Sequence, residues 1–282
     1  MKILVTGSNG FIGKNLCLFL KERQYEVLGF DRNTKESLES LVNECDFVMH
    51  LAGINRPKEE SEFNTGNVGL TEELISLLKK SGRKIPLLLS SSIQAERDNP
   101  YGRSKKEAED VVFAYGKETG ANVYVFRLDN AFGKWCRPNY NSVVATFCYN
   151  IAHGLNIQIN DPNVLIKFVY IDDICETFIS CINREGSEDI LAIPHFYNVK
   201  LGELANYLYT FRDSRNTLDI PHMEGFEKAL YSTYLSYLPE NEFSYDLNSH
   251  VDNRGSFTEF LHTETQGQVS VNISHPGIVK GN

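Results

Sequence analysis

Long hydrophobic runs are missing from this 282-residue chain. The best candidates, LLLSSS after Pro86 and NVYVFRL from Asn122, stop far short of the roughly 20 apolar residues that cross a bilayer, so no membrane partner is expected. Basic charge is scarce: 28 Lys and Arg face 37 Asp and Glu, a net charge of −9 that argues against a nucleic-acid ligand. The opening MKILVTGSNG carries a single Lys and runs straight into a strand and a glycine turn, without the apolar stretch of a secretory signal. A cytoplasmic location is expected. Cys17, Cys45, Cys136, Cys148, Cys175 and Cys181 form no C-x-x-C pair and have no nearby His pair at zinc spacing. Reduced thiols and no metal site in this chain are expected. Repeats and low-complexity tracts are also absent. What is left, 41% apolar and 23% charged residues, excludes collagen-like and disordered classes. The length suits one large α/β domain or one domain with appendages.

Up to about residue 130, apolar runs of strand length alternate with amphipathic stretches of helix length. KILVTG, EVLGFD, DFVMHLAG, IPLLLSSS and NVYVFRL are continuous rather than alternating, as in strands buried on both faces of a parallel sheet. Helices are predicted over Phe11–Glu22, Lys35–Asn43, Asn67–Lys80 and Tyr101–Lys117. The pattern is that of a doubly wound α/β sheet. Beyond Phe132 an aromatic and polar stretch leads into a helix (VVATFCYNIAHG), a strand (LIKFVYI) and a second helix (ICETFISCIN), with Asp172 and Asp173 as expected N-terminal caps. A helix over Leu201–Phe211 and a Tyr-rich segment complete a smaller part. From Phe243 the pattern turns to β: Asp252–Gly255 signals a turn, and VSVNIS alternates as a half-buried strand does. The expected division is 1–243 and 244–282. The second piece is close to the size, about 40 residues, below which chains rarely fold unaided, so it must lean on something.

Gly7, Gly10 and Gly13 form a G-x-x-G-x-x-G between a strand and a helix. Such a turn lets backbone N–H groups, here those of Asn9, Phe11 and Ile12 among them, approach a pyrophosphate at the positive end of the helix. At the end of the second strand stand Asp31 and Arg32. An acid there would hold the ribose hydroxyls of NAD, and an arginine would pair with the 2′-phosphate of NADP; the two residues leave both open. Leu51, Ala52 and Gly53 end the third strand, where small residues admit a cofactor or simply close packing. Ser92 ends the fourth, on the edge where open α/β sheets bind ligands. Tyr101 and Lys105 follow one helical turn apart, on one face. An ammonium group beside a phenol lowers its pKa toward neutrality and makes it a usable proton donor.

In this order the motifs resemble those of the extended short-chain dehydrogenases/reductases, a Rossmann-fold family of nucleotide-sugar epimerases, dehydratases and reductases. The resemblance implies Ser92 for polarising a carbonyl, Tyr101 as proton donor, and Lys105 for tuning Tyr101 and holding the nicotinamide ribose. Asn67 would buttress the site, and Arg127 would lie at the cofactor. Asn130 follows in the same segment, RLDNAFG, and Tyr170-Ile171-Asp172-Asp173 resembles the family's Y-x-D-D. More narrowly, SSSIQAERDNPYGRSK, LYSTYLSYLP and DNRGSFTEF resemble bacterial capsular-polysaccharide enzymes that join such a reductase to a C-terminal cupin. That implies a UDP-linked 4-keto sugar as substrate, NADP(H) as favoured cofactor with NAD(H) possible, and a homodimer. In that family the metal-bearing cupin epimerises C3 and the reductase then reduces C4. Here residues 244–282 would supply only the opening strands of a cupin, as in a truncated chain, and His250, His262 and His275 are expected in surface or loop positions.

Asn130, Lys134, Trp135, Arg137, Tyr140 and Asn141 are candidate substrate contacts, with packing of an aromatic loop as the alternative for the last five. Two rival functions are an NAD-dependent epimerase or dehydratase, and a non-catalytic cofactor-binding scaffold. The Ser92-Ile93-Gln94 segment lacks the Asp and Glu that family dehydratases place there.

Overall fold

The structure, a computed structural model, describes all residues except Lys58, Glu188, Met223, 264–266 and 279–282. The elements in chain order are β1 (Lys2–Thr6), α1 (Phe11–Glu22), β2 (Glu26–Phe30), α2 (Leu38–Glu44) and β3 (Phe47–His50). A short helix α3 (Ser61–Phe63) runs through a π-helical turn, Asn64–Gly69, into α4 (Leu70–Lys80). Then come β4 (Leu87–Ser92), α5 (Pro100–Thr119), β5 (Val123–Leu128), β6 (Asn130–Phe132), α6 (Val143–Ala152), β7 (Leu165–Tyr170) and α7 (Ile171–Ser180). Last are β8 (Ile190–Leu191), β9 (Tyr197–Lys200), α8 (Leu201–Thr217), α9 (Gly225–Leu235), β10 (Ser249–Asp252), β11 (Gly255–Thr263) and β12 (Gly267–Ser274). The chain folds into two compact units: Met1–Ala131 with Lys167–Phe196, and Phe132–Ile166 with Tyr197–Asn282.

The first unit is built on a parallel sheet in the order β2-β1-β3-β4-β5-β8. The central strands β1, β3, β4 and β5 carry unbroken apolar runs because successive side chains enter two different cores. Ile3, Val5, Phe47, Met49, Leu88, Tyr124 and Phe126 meet α1 and α7 through Leu16, Leu20, Ile174 and Phe178. Leu4, Val48, Leu87, Leu89, Val123 and Val125 meet α2, α4 and α5 through Leu41, Leu74, Leu78, Val112 and Tyr115. The chain leaves β1 toward β2 on one side and returns to β3 on the other. The carboxyl ends of β1 and β3 therefore flank the switch point at which such sheets bind ligands.

Helix starts follow side-chain chemistry. Ser37 and Asn99 cap α2 and α5, accepting from Ser40 N (3.2 Å) and Gly102 N (2.8 Å). Asp172 and Asp173 do not occupy the capping position. That place falls to Tyr170, and the two aspartates lie in the first turn of α7, where negative charge complements the helix dipole. Burial, with Asp172 adding to it, raises the pKa of Asp173 against the opposing influence of His195.

In the second unit α6, α8 and α9 share a core that includes Phe147, Leu208, Phe211, Leu230 and Tyr234, with Phe211 at 5.1 Å from the Tyr231 ring and 6.1 Å from Tyr234. The Tyr-rich segment is thus helix α9. The antiparallel sheet β10-β11-β12 leans, as its size requires, on the end of α8. His262 N donates to Leu218 O and Ile220 N to His262 O, both at 2.9 Å. Arg215 Nη2 reaches the carbonyls of Glu242, Phe243 and Ser244. His262, expected in a surface or loop position, sits in strand β11 with its side chain 37% exposed, Asp219 Oδ1 2.5 Å from Nε2 and Glu259 Oε1 3.1 Å from Nδ1. Among the described residues no helix is long and apolar enough to cross a membrane.

Candidate active site

The glycine turn is shaped by close approach. Gly7 has φ +70° and donates to Phe30 O at 2.8 Å, tying the turn to the end of β2. A Cβ on Gly13 would fall 2.1 Å from Gly7 O, so no other residue lets α1 start this close to β1. The helix thereby presents its first-turn N–H groups, those of Phe11, Ile12 and Gly13, at the switch point. Asp31 is drawn into the same turn: its Oδ2 accepts from Asn9 N (3.0 Å) and its Oδ1 from Arg32 N (2.7 Å). Arg32 itself is exposed.

Across the switch point, Leu51 N donates to Thr6 O at 3.2 Å, and Ala52 N to Thr6 Oγ1 at 3.2 Å. Buried Asn67 grips Ile54 at both ends, with Oδ1 accepting from Ile54 N (2.8 Å) and Nδ2 donating to Ile54 O (3.0 Å). Its Nδ2 also reaches Ser104 Oγ at 2.9 Å, and Ser104 Oγ donates to Tyr101 O at 2.8 Å. Gly53 marks where these parts converge: a Cβ there would lie 2.9 Å from Asn67 Oδ1 and 3.2 Å from Lys105 Nζ.

Ser92 closes β4 and accepts from Gln94 N at 3.2 Å, a bond that leaves its hydroxyl hydrogen for another acceptor. A 3₁₀ turn, Ile93–Glu96, follows. Gly102 lets α5 begin directly against it, since a Cβ there would lie 2.3 Å from both Gln94 O and Arg97 O. Tyr101, at this first turn, has its ring 5.5 Å from that of Phe63. One turn further, Lys105 is buried and donates to Ser90 O at 3.1 Å. Burial pulls its pKa down to about 8, opposed by Glu109. An ammonium so close to releasing its proton is suited to relaying one.

Arg127, expected at the cofactor, is engaged by two carboxylates. Its guanidinium is held by Glu109 and Glu96, with Nη1 2.9 Å from Glu96 Oε1, because the buried Glu109 carboxylate on α5 needs a partner. Asn130 donates through Nδ2 to Lys167 O at 3.0 Å. The remaining candidates lie in the second unit, paired within their loop: Lys134 Nζ stands 5.5 Å from the Trp135 ring centre, and the Arg137 guanidinium 5.4 Å from that of Tyr140. Trp135 adopts φ +68° and is exposed, as is Asn141.

The profile described as the NAD dependent epimerase/dehydratase family matches residues 3–199. The chain belongs to this family. A second profile, the polysaccharide biosynthesis C-terminal domain, matches residues 250–282 of this epimerase/dehydratase-family protein. The UDP-2-acetamido-2,6-beta-L-arabino-hexul-4-ose reductase of Pseudomonas aeruginosa is 49% identical over 285 residues, an alignment covering 100% of this chain and 77% of the reductase. The crystal structure of the capsular polysaccharide assembling protein CapF from Staphylococcus aureus matches with a TM-score of 0.91 at 48% identity, covering 100% of this chain and 78% of that one. UDP-glucuronic acid 4-epimerase from Bacillus cereus, in complex with NAD, shares the fold at 20% identity, with a TM-score of 0.68 over 75% of this chain and 82% of its own.

Several residues that build this family member's site escape a reading by motif. Glu109 was legible in principle, one turn beyond Lys105 on the same face as Tyr101. Ser91, which donates to Glu109 Oε1 at 2.5 Å, lay hidden in a triple serine. Thr6, His50 and Thr71 join only in three dimensions, through contacts from β1, β3 and α4; the sequence places them far apart.

Proposed function

We propose that this chain reduces the C4 ketone of a UDP-linked 4-keto-6-deoxy-N-acetylhexosamine with NADPH. The observation that carries the reading is the Ser92–Tyr101–Lys105 arrangement: Gly102 seats Tyr101 against the turn that follows Ser92, and Lys105 lies buried one turn behind. The identity to a UDP-linked hexulose reductase along the whole chain supports the substrate class.

The glycine turn and Gly53, where added carbons would collide with backbone or with Asn67, fit a dinucleotide lying against the main chain. First-turn N–H groups of α1 would take its pyrophosphate, and Lys105 its nicotinamide ribose. When bound, that cofactor supplies the hydride. The choice of NADPH rests on Asp31, whose two oxygens each accept a backbone N–H, from Asn9 and Arg32, and on the exposed Arg32, a guanidinium that would pair with a 2′-phosphate. In the reaction, Ser92 donates a hydrogen bond to the C4 carbonyl oxygen. Tyr101 gives its phenolic proton to that oxygen as negative charge develops there, and Lys105 stabilises the resulting phenolate.

The test is NADPH consumption by the purified chain with a 4-keto-6-deoxy UDP-N-acetylhexosamine. Stoichiometric oxidation is expected. Tyr101→Phe should abolish it while leaving NADPH binding intact. No oxidation by the wild-type chain, or tightly held NAD and C4 epimerisation instead, would overturn the proposal.

A further inference from the structure

We propose that His50 is a positioning residue for this reduction, a neutral imidazole with its proton on Nε2 that locks the backbone after β3 to Asn67 and so to Tyr101. The kinetic part rests on the reductase reading; the bonding part does not.

The direction of every bond in the chain is forced by its neighbours. Thr71 Oγ1 donates to Asn67 O at 2.6 Å. A hydroxyl has one hydrogen, so toward His50 Nε2, 3.0 Å away, Thr71 accepts and Nε2 carries the proton. His50 Nδ1 is then an acceptor, and Thr6 Oγ1, at 2.6 Å, donates to it. Thr6 Oγ1 keeps its lone pairs for Ala52 N at 3.2 Å. The series runs from the Ala52 amide through Thr6, His50 and Thr71 to the Asn67 carbonyl without a mismatched pair. At its far end the Asn67 side chain grips Ile54 and, through Ser104, the carbonyl of Tyr101.

All of this is enclosed: Thr6, His50, Asn67, Thr71 and Ser104 are buried. Charging the ring would place a second N–H against the Thr6 hydroxyl, break the pattern there and set two cations near each other. Burial, together with the Lys105 charge, pushes the His50 pKa down to about 3, so the neutral form persists wherever the enzyme works. The carbonyl of Asn67 lies where the helix is widened into a π turn, and Thr71 caps that carbonyl from α4. His50 thus fixes where the π turn sits, and with it the distance between the cofactor-side backbone and the proton donor.

Two measurements decide the matter. In 15N-histidine NMR of the full chain without cofactor, His50 should show a protonated Nε2 and a bare Nδ1, unchanged from about pH 8 to about pH 5. A proton on Nδ1, or titration of His50 in that range, overturns the assignment. In kinetics, Thr71→Val keeps the shape and removes only the hydroxyl, and His50→Asn keeps an acceptor for Thr6 while losing the donor to Thr71. Each should lower kcat about tenfold with little change in KM for the sugar, and Thr71→Ser should restore kcat. Wild-type kcat in Thr71→Val would sink the positioning role, because packing alone is then sufficient. If a variant fails to fold, the tautomer measured on the wild-type chain still decides the bonding. If the wild-type chain reduces no 4-keto sugar while the tautomer is as stated, the functional reading fails and the hydrogen-bond assignment stands.

Discussion

Glu109 holds Arg127 with both oxygens of its carboxylate, Oε1 2.9 Å from Nε and Oε2 2.7 Å from Nη2. The Glu109 side chain is fully buried and that of Arg127 is 15% exposed, so neither charge is well compensated by water. Arg127→Leu should cost about 3–5 kcal/mol in urea unfolding, because it strands a buried carboxylate. The double variant Arg127→Leu, Glu109→Leu should recover most of that loss. Additive losses in the double variant would show that the pair is not the source.

Lys105 makes stability depend on pH in a definite direction. Its pKa falls from 10.5 in the open chain to about 8 in the fold. Between these values the unfolded chain holds a proton that the folded chain has released, so the stability of the cofactor-free protein rises with pH across this window. The increment attributable to Lys105 is on the order of 3 kcal/mol. Subtracting unfolding free energies of Lys105→Met from those of wild type at about pH 7.5 and pH 10 should show it. A difference that stays constant with pH would contradict the placement of Lys105 in a dry site.

Gly102→Ala introduces a methyl group that would meet two carbonyl oxygens at 2.3 Å. The start of α5 must shift away from the turn after Ser92, moving Tyr101 with it. Destabilisation of about 1–3 kcal/mol is expected, together with, for the proposed reduction, a fall in kcat larger than the change in NADPH affinity. Fluorescence titration with NADPH beside steady-state rates checks both. Equal losses in the two would place the damage at the cofactor rather than at Tyr101, the proposed proton donor.

Arg215 draws three successive carbonyls, from Glu242 to Ser244, onto α8. Arg215→Ala should release that stretch, speeding limited proteolysis between Pro239 and Ser249 severalfold while the Rossmann unit stays resistant. Mass spectrometry of the fragments locates the cut. A cleavage pattern identical to wild type would mean that the Leu218–Ile220 pairing with His262 holds the sheet by itself.

The doubly wound sheet was legible because its central strands are buried on both sides, which leaves unbroken apolar runs, and because glycines stand where α1 meets β1. The placement of Ser92 at a strand end and of Tyr101 and Lys105 one turn apart on a helix was legible from order and spacing. The His50 network was not: its partners come from three elements distant in sequence, and threonine carries no periodic signal. The pairing of Arg127 with Glu109 was not legible either, because charge type alone does not say which partner claims it. The aspartates of α7 misled for a related reason, since an acidic side chain suits the first turn as well as the cap. Residues 167–196 read as part of a smaller, looser region, yet Ile171, Ile174 and Phe178 complete one core of the main sheet.

That last placement sets an order for folding during synthesis. A chain that has emerged only as far as Ala131 holds most of the parallel sheet but lacks α7 and β8, and leaves Phe126 and Leu88 wet on the face that α7 later covers. The intervening stretch, Phe132–Ile166, belongs to the other unit and must be looped out until Lys167–Phe196 arrives. The first unit therefore closes only after both are made. A nascent chain arrested near residue 131 should be captured by chaperones that bind exposed apolar sheet, and one arrested well past residue 196 should escape them.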